Sequence, residues 1–402
     1  MIAAVIICSV IASAGAVSEK EIAVGKFYSY EQKLLCISHR GDTVNYPENS
    51  LEGIKSALDK GADFVSVNLS KTSDGVFYLC EDESLGNVCN APYESLSQMN
   101  SAETANYSLY DVFGNETEYK LTSLEVLLDN TDSEDGIILD VKPEDKDAVY
   151  DVLAENDALY RVIIRVKEGA SKLTKWAEGK AEKVYVIGVY GGNIIFSTIS
   201  AVNNMTKSDM PAVQYQSKNY FNVAYGEFFA NRYLCAENAR AVAATYSPDL
   251  CGQRGDSSDG WNELIKKGYS VIETNNIEAF AEYRKETERL EKSIEELLEK
   301  AFYVDPAKYS QVSLENLEKA KINCEIATTS DIASSLDEMQ SAYSQLNSAL
   351  KDMKISSGEV DTRGALNVTA GKVIAALLVG AALLAGQIYV YKMRRRNTSK
   401  GE

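Results

Sequence analysis

The chain has 402 residues, of which 45% are hydrophobic and 25% charged, and it contains only six prolines. These values are typical of a globular protein with a packed core and argue against long disordered linkers. There are 41 lysines and arginines against 59 aspartates and glutamates, so the formal net charge is −18. This charge argues against a nucleic-acid partner, because nucleic-acid-binding proteins present a basic surface.

The N-terminus, MIAAVIICSVIASAGAVSEKE, contains an apolar run of signal-peptide length. Ala12-Ser13-Ala14 supplies the A-x-A pattern of a cleavage site, although the basic residues that usually precede the apolar run are missing. We therefore expect a signal peptide at residues 1–16. An N-terminal core strand or a misassigned start codon are the alternatives.

Short apolar segments recur between residues 34 and 276 and are rich in valine, isoleucine and tyrosine. They are apolar throughout rather than alternating, which is typical of parallel strands covered by helices. Nine segments are candidate strands: LLCIS (34–38), FVSVNL (64–69), VFYLC (76–80), GIILDVK (136–142), RVIIRV (161–166), KVYVIGVY (183–190), AVQYQ (212–216), RAVAATYS (240–247) and SVIETN (270–275).

Amphipathic helices are predicted between these strands, for example at residues 50–61 and 259–268. Gly61 and Gly268 stand where a helix C-cap is expected. Repeated strand–helix units over about 250 residues predict a (β/α)8 barrel of the TIM type, an α/β fold whose functional residues gather at the C-terminal ends of the strands. His39, the only histidine, lies just past the first predicted strand, where such a site is expected.

A helical region is predicted after the last strand. A long polar helix is expected from about Ile277 to Ala301, followed by two more amphipathic helices. The Tyr309-Ser310 step and the spacing of alanine and leucine are similar to the FIVAR modules of bacterial surface proteins, and a generic helical hairpin is the alternative. We interpret residues 286–353 as a small α-helical spacer and residues 354–371 as a polar stalk.

A second apolar run, VIAALLVGAALLAGQIYVY at 373–391, is interrupted only by Gln387. At ~1.5 Å of helix per residue it just reaches across a hydrocarbon core of ~30 Å. Lys392 and three arginines follow it, as the positive-inside rule expects on the cytoplasmic side. We predict a single transmembrane helix at 372–392 and a basic cytoplasmic tail at 393–402, with the bulk of the chain outside the cytoplasm at the cell surface.

Six of the seven cysteines lie beyond the predicted signal peptide. Cys80 with Cys89, and Cys235 with Cys251, are close enough in sequence to form disulfides in an oxidising compartment. Free buried thiols are the alternative. The cysteine spacings do not match those of zinc–thiolate sites.

Four stretches carry a resemblance to a known family. They are CISHRGDTVNYPENS (36–50), GADFVSVNLSKTSDGVFYLCED (61–82), ILDVKPE (138–144) and GYSVIETNN (268–276). The spacing of HRG, PEN, GAD and SDG resembles the opening of the glycerophosphodiester phosphodiesterase family, which is a (β/α)8 barrel. The resemblance runs from about Gln32 to Tyr283, and we place the barrel domain at 30–285.

The resemblance implies a definite chemistry. The family cleaves glycerol-phosphate diesters, binds Ca²⁺ or Mg²⁺ and uses two histidines as acid and base. The metal neutralises charge on the phosphoryl oxygens. Carried over by position, His39 and Arg40 are catalytic residues, and Arg40 also binds phosphate, a task that suits a guanidinium. Lys142 is a second phosphate-binding residue, and Glu48 and Asp140 are metal ligands. The implied partner is a glycerophosphodiester or another small phosphate-bearing ligand.

The departures from the family pattern concern the metal and the acid. Ser66-Val67-Asn68 stands where the family has a Glu-x-Asp metal pair, and affinity for hard cations falls as charged oxygen ligands are lost. Glu81 stands in place of the second histidine, and losing the general acid alone costs roughly 10²–10⁴ in rate.

These departures leave alternatives for several residues. Glu81 is the candidate replacement acid and Asp82 a candidate additional metal ligand, or both form a solvated acid pair. His39 is either a working base or a relic that is hydrogen-bonded to Glu48. The sequence thus supports two functions: a hydrolase with an altered and weak or inactive site, or a non-catalytic surface protein whose barrel holds a phosphate-bearing ligand.

Overall fold

The computed structural model describes residues 22–28, 32–81, 85–191, 212–219, 240–329 and 333–355. The predicted signal peptide, transmembrane helix and tail, together with Asp82 and Cys235, lie outside these ranges. None of the helices within them is both long and apolar enough to cross a membrane.

Eight parallel strands close into the predicted barrel. The strands of the chain are β1 (Leu35–His39), β2 (Phe64–Lys71), β3 (Phe77–Leu79), β4 (Ser108–Tyr110), β5 (Glu116–Lys120), β6 (Ile137–Val141), β7 (Val162–Val166), β8 (Tyr185–Gly191), β9 (Ala212–Gln216), β10 (Arg240–Ala244) and β11 (Tyr269–Thr274). Around the barrel the order is β1, β2, β6, β7, β8, β9, β10 and β11, and β11 pairs again with β1. The predicted (β/α)8 architecture is therefore confirmed.

Three details of the strand assignment differ from the prediction. Strand β3 lies antiparallel to β2 and adds to its end, so it is not a barrel strand. The β4–β5 hairpin was not predicted, because β5 is polar and only partly buried and thus lacks an apolar signal. In addition, His39 is the last residue of β1 rather than the first residue after it.

The helices within the described ranges follow the predicted alternation. They are α1 (Ile22–Gly25), α2 (Leu51–Asp59), α3 (Leu85–Val88), α4 (Leu124–Asp129), α5 (Lys146–Glu155), α6 (Ala170–Glu178), α7 (Ser258–Lys266), α8 (Ile277–Phe302), α9 (Gln311–Thr329) and α10 (Leu336–Lys351). Gly61 and Gly268 follow the last residues of α2 and α7 by two positions and adopt φ values of +99° and +96°, which confirms the two predicted glycine caps.

The barrel interior has two layers, an apolar one toward the N-terminal ends of the strands and a polar one toward their C-terminal ends. The apolar layer comes mainly from the N-terminal halves of the strands, and Phe27 packs against Phe64 at a ring-centroid distance of 4.6 Å. Because side chains alternate along a strand, the positions two residues further on point inward again, nearer the C-terminal ends. Six of those positions hold polar side chains, namely His39, Ser66, Asp140, Arg165, Gln214 and Glu273.

The chain divides into two compact units. The first comprises Met1–Glu296 and Asn323–Ser344 and includes the barrel. The second comprises Leu297–Ile322 and Gln345–Glu402, and within it the Ser310 amide donates to the Lys354 carbonyl at 2.9 Å. The spacer role of the helical region stays a prediction.

Cys80 and Cys89 are both buried and do not form a disulfide with each other. They belong to one apolar cluster with side chains of the segment around β4. The predicted Cys80–Cys89 disulfide is therefore not formed in the structure.

Candidate functional site

The carboxylate of Glu273 lies at the centre of the polar layer, on β11, and is fully buried. It accepts hydrogen bonds from Ser66 Oγ at 2.6 Å and from Gln214 Nε2 at 2.8 Å. Arg165 donates to it twice, from Nη1 and Nη2, each at 2.8 Å. Burial alone would raise the pKa of Glu273, but the attraction of Arg165 and the bond to His39 outweigh it and hold that pKa well below its usual range.

Arg165 links Glu273 to Asp140. Its Nε and Nη2 donate to the two carboxylate oxygens of Asp140, both at 2.6 Å, which is a bidentate pair. The side chain of Arg165 is 3% exposed. Burial lowers the pKa of a guanidinium, but here the two carboxylates more than compensate and raise the pKa of Arg165. One buried cation therefore pairs with two carboxylates at once.

His39 lies beside this network. Its Nδ1 is 3.3 Å from Glu273 Oε1 and 3.5 Å from Ser66 Oγ. The imidazole stacks on the ring of Tyr246 at 3.5 Å with an interplanar angle of 5°, and burial raises the pKa of Tyr246. If His39 were a relic, it was expected to be hydrogen-bonded to Glu48. This expectation is wrong, because the carboxylate partner of His39 is Glu273.

Arg40 holds the two other candidate carboxylates. Its Nη1 donates to Glu48 at 2.8 Å and its Nη2 lies 2.5 Å from Glu81. Burial lowers the pKa of Arg40, but Glu48 and Glu81 outweigh this and raise it. The buried Nε of Arg40 has no hydrogen-bond partner within the described ranges. The proposed metal ligand Glu48 and the proposed acid Glu81 are thus both partners of one guanidinium.

The loop that presents Arg40 is tightly constrained. Arg40 and Asn49 have positive φ values of 62° and 56°, and the Asn49 amide donates to the Arg40 carbonyl at 2.9 Å. Asn49 Oδ1 accepts from the Asn68 amide at 3.0 Å, which ties the loop to β2. Ser50 caps α2 by accepting from the Gly53 amide at 3.2 Å. The HRG and PENS motifs therefore form one structural unit.

The remaining predicted residue with a described position is Lys142, which follows β6 directly and is exposed. The structure thus joins His39 and Asp140 through Arg165 and Glu273. It does not bring Asp140 and Glu48 together as ligands of one ion, because each faces a different arginine.

These residues do not fit a divalent metal ion. Both oxygens of Asp140 are bound to Arg165, and the neighbouring β2 side chains of Ser66 and Asn68 are neutral. Among the residues with a described position, no group of three or more His, Cys, Asp or Glu side chains is placed to hold a metal. A metal ion would have to displace a buried guanidinium.

Arg165, Glu273, Gln214 and Tyr246 were not predicted as site residues. Arg165 and Glu273 are charged residues inside otherwise apolar strand segments, RVIIRV and SVIETN. A charge at such a position has to be paired when it is buried, so two opposite charges in two barrel strands were a usable signal. Gln214 and Tyr246 gave no comparable signal.

Part of the chain is similar to a known protein family. Residues 39–186 match the model of the Glycerophosphoryl diester phosphodiesterase family. A glycerophosphodiester phosphodiesterase of Caldanaerobacter subterraneus is 38% identical over 58 residues, which are 14% of this chain and 24% of that protein. Glycerophosphodiester phosphodiesterase 1 of Bos taurus is 33% identical over 91 residues, 21% of this chain and 27% of that protein. The matches therefore span about a quarter of these curated relatives.

The fold has a counterpart among solved structures. A crystal structure of a glycerophosphoryl diester phosphodiesterase from Parabacteroides distasonis aligns with a TM-score of 0.52 at 20% sequence identity. The alignment covers 64% of this chain and 90% of that one. The solved structure shares the barrel fold, and the family-model match shows that residues 39–186 carry a domain of the glycerophosphoryl diester phosphodiesterase family.

Proposed function

We propose that this protein is a membrane-anchored, surface-exposed member of the family whose barrel does not perform metal-dependent hydrolysis and instead holds a phosphate-bearing ligand. The observation that carries the proposal is the position of Arg165, whose guanidinium binds Asp140 and Glu273 at once. These two carboxylates are therefore already paired with a side-chain cation. A hydrolase that retained the metal-dependent mechanism would need at least one of them for its metal.

The leaving-group acid is also missing. Such an acid must carry a proton in the resting enzyme. Glu81 accepts a charge-assisted contact from Arg40 at 2.5 Å, so it acts as an acceptor and not as a proton donor. His39 is the only histidine in the chain and is engaged by Glu273, which leaves it at most the role of a base.

Arg40 is the residue that we propose binds the phosphate. Its side chain is 17% exposed, and its buried Nε donor is unpaired among the described residues. Glu48 and Glu81 are 33% and 42% exposed, so each can rotate into water when an anion approaches. The exposed Lys142 adds a second positive charge after β6. This arrangement suits the binding of a phosphate group without a metal.

The test compares turnover with binding in the full-length chain. With glycerophosphocholine and Ca²⁺, Mg²⁺, Mn²⁺ or Zn²⁺, we expect no hydrolysis above the metal-only blank. In EDTA, isothermal titration with glycerol 3-phosphate is expected to show binding that Arg40→Ala abolishes. Arg289→Ala, which removes an arginine paired with Glu286 on α8, is the control and should bind normally.

Either arm can contradict the proposal. Metal-dependent turnover by the wild-type chain would show that a working metal site exists. Absence of glycerol 3-phosphate binding in EDTA would remove the proposed ligand class and leave the barrel with a structural role.

The proposal includes a membrane anchor, which the apolar run and basic tail at 372–402 support. We expect the full-length chain in the membrane fraction after carbonate extraction and a chain ending at residue 371 in the soluble fraction. A full-length chain that is extracted by carbonate would contradict the anchor.

A further inference from the structure

We propose that Arg165 is the resident cation of this barrel: it takes the place of a divalent ion between Asp140 and Glu273, and its removal converts the same oxygen atoms into a divalent-cation site. This inference rests on the proposed absence of a metal in the wild-type protein. It goes further by naming the group that replaces the metal and the site that this group blocks.

The charge balance requires a cation at this point. Glu273 is fully buried and the Asp140 side chain is 24% exposed, so both carboxylates are largely removed from water. Buried carboxylates are stable only when they are paired or bind a metal. Arg165 provides four N–H···O bonds of 2.6–2.8 Å to them. Its bridging position between the two carboxylates is that of a shared counter-ion.

The surrounding polar atoms have the character of cation ligands. Asn68 Oδ1 and Gln214 Oε1 are buried acceptors that have no hydrogen-bond partner within the described part of the chain. Asn68 lies opposite Asp140 in the β2–β6 register, and Gln214 Nε2 donates to Glu273. Gln214 is itself completely buried. Both amide oxygens therefore belong to the same polar layer as the two carboxylates.

Without the guanidinium, this layer offers a set of oxygen ligands. The set consists of two carboxylates, two amide oxygens and the Ser66 hydroxyl. Ca²⁺ prefers six to eight oxygen ligands in flexible geometry, with Ca–O distances of about 2.3–2.6 Å, and this set matches that preference. With Arg165 present, a divalent ion is repelled and has no free carboxylate. The wild-type barrel is therefore expected to be indifferent to calcium and to chelators.

The experiment measures thermal unfolding of the full-length chain in EDTA and in about 5 mM CaCl2, where binding to the native state raises Tm by mass action. For the wild type we expect the same Tm in both. Arg165→Met should have a lower Tm in EDTA and regain several degrees in CaCl2. Adding Asp140→Asn to Arg165→Met should remove the response to calcium.

A matched control is Arg161→Met. Arg161 is a buried arginine just before β7 that donates to the Leu128 carbonyl and to the carbonyl and hydroxyl of Thr131, and its partners in the described ranges include no carboxylate. The Arg161→Met chain should have a lower Tm than the wild type, and this Tm should be the same in EDTA and in CaCl2. If Arg165→Met is unfolded in EDTA, refolding in CaCl2 is measured instead. Arg165→Met/Glu273→Gln, which lacks the central buried charge, is expected to fold in EDTA.

The outcomes separate this inference from the proposed function. An Arg165→Met chain that is equally stable, or equally unfolded, with and without calcium overturns the inference and leaves the proposed function intact. A wild-type Tm that rises with calcium and loses this rise in Asp140→Asn overturns both.

Discussion

Glu273→Ala is expected to destabilise the barrel by about 3–5 kcal/mol, the range for breaking a buried ion pair by removing one partner. The substitution leaves Arg165, 3% exposed, with Asp140 as its one carboxylate partner among the described residues. It also removes the acceptor of Ser66 and Gln214, and each unsatisfied buried donor adds a cost of about 1–3 kcal/mol where the cavity does not admit water. Urea unfolding followed by circular dichroism gives the free energy.

A surface pair provides the control for this prediction. Glu282 accepts from Lys285 at 2.7 Å, and the two side chains are 73% and 69% exposed. Exposed ion pairs contribute about 0–1 kcal/mol, so Glu282→Ala should change the free energy of unfolding by no more than that. If Glu273→Ala and Glu282→Ala lost equal stability, the central role of Glu273 would be refuted.

The pH dependence of the Glu273 effect has a definite sign. The pKa of Glu273 is lowered in the folded protein, so the native state holds this group ionised more strongly than the unfolded chain does. The contribution of Glu273 is therefore fully present above the unfolded pKa, about 4.3, and is lost as the pH falls through the folded value. The difference in stability between wild type and Glu273→Ala should therefore shrink as the pH falls below about 4.

The barrel was predictable because its signal is local. Eight of the nine apolar segments are barrel strands, since segments that are buried on both faces are apolar along their whole length. Strand β3 has the same composition, but it pairs with the extended end of β2, and composition does not tell parallel from antiparallel pairing. The polar β5 carried no burial signal at all.

The site was predictable only where it is local in sequence. His39, Arg40 and Glu48 lie within ten residues, and the motif that contains them identified the first strand end. The partners of Arg165 are 25 and 108 residues away, at Asp140 and Glu273. Arg165 meets Asp140 because β6 and β7 pair in the register that sets these two residues side by side. Strand register arises from tertiary packing, so the sequence alone could not show that the expected metal ligand is bound to an arginine.

Gly41→Ala is expected to cost about 2–5 kcal/mol of stability and to disturb the loop that positions Arg40. Gly41 has φ +90°, a conformation that costs an L-residue about 1–2 kcal/mol. A Cβ atom at this position would also lie 2.8 Å from the carbonyl carbon and 2.9 Å from the carbonyl oxygen of Gly53 in α2. Relieving such an overlap with backbone atoms costs about 1–3 kcal/mol more of folding free energy.

Gly75→Ala separates the two contributions to this cost. Gly75 has φ +88°, almost the same as Gly41, but none of the described atoms lies within 4 Å of its added Cβ. It should therefore lose only the conformational part, about 1–2 kcal/mol. Because α2 cannot retreat without breaking the 2.8 Å bond from the Asp42 amide to the Gly53 carbonyl, the overlap at Gly41 has to move the loop itself. Urea unfolding of both variants tests this, and equal losses would mean that the loop next to Arg40 is not packed against α2 as tightly as the structure indicates.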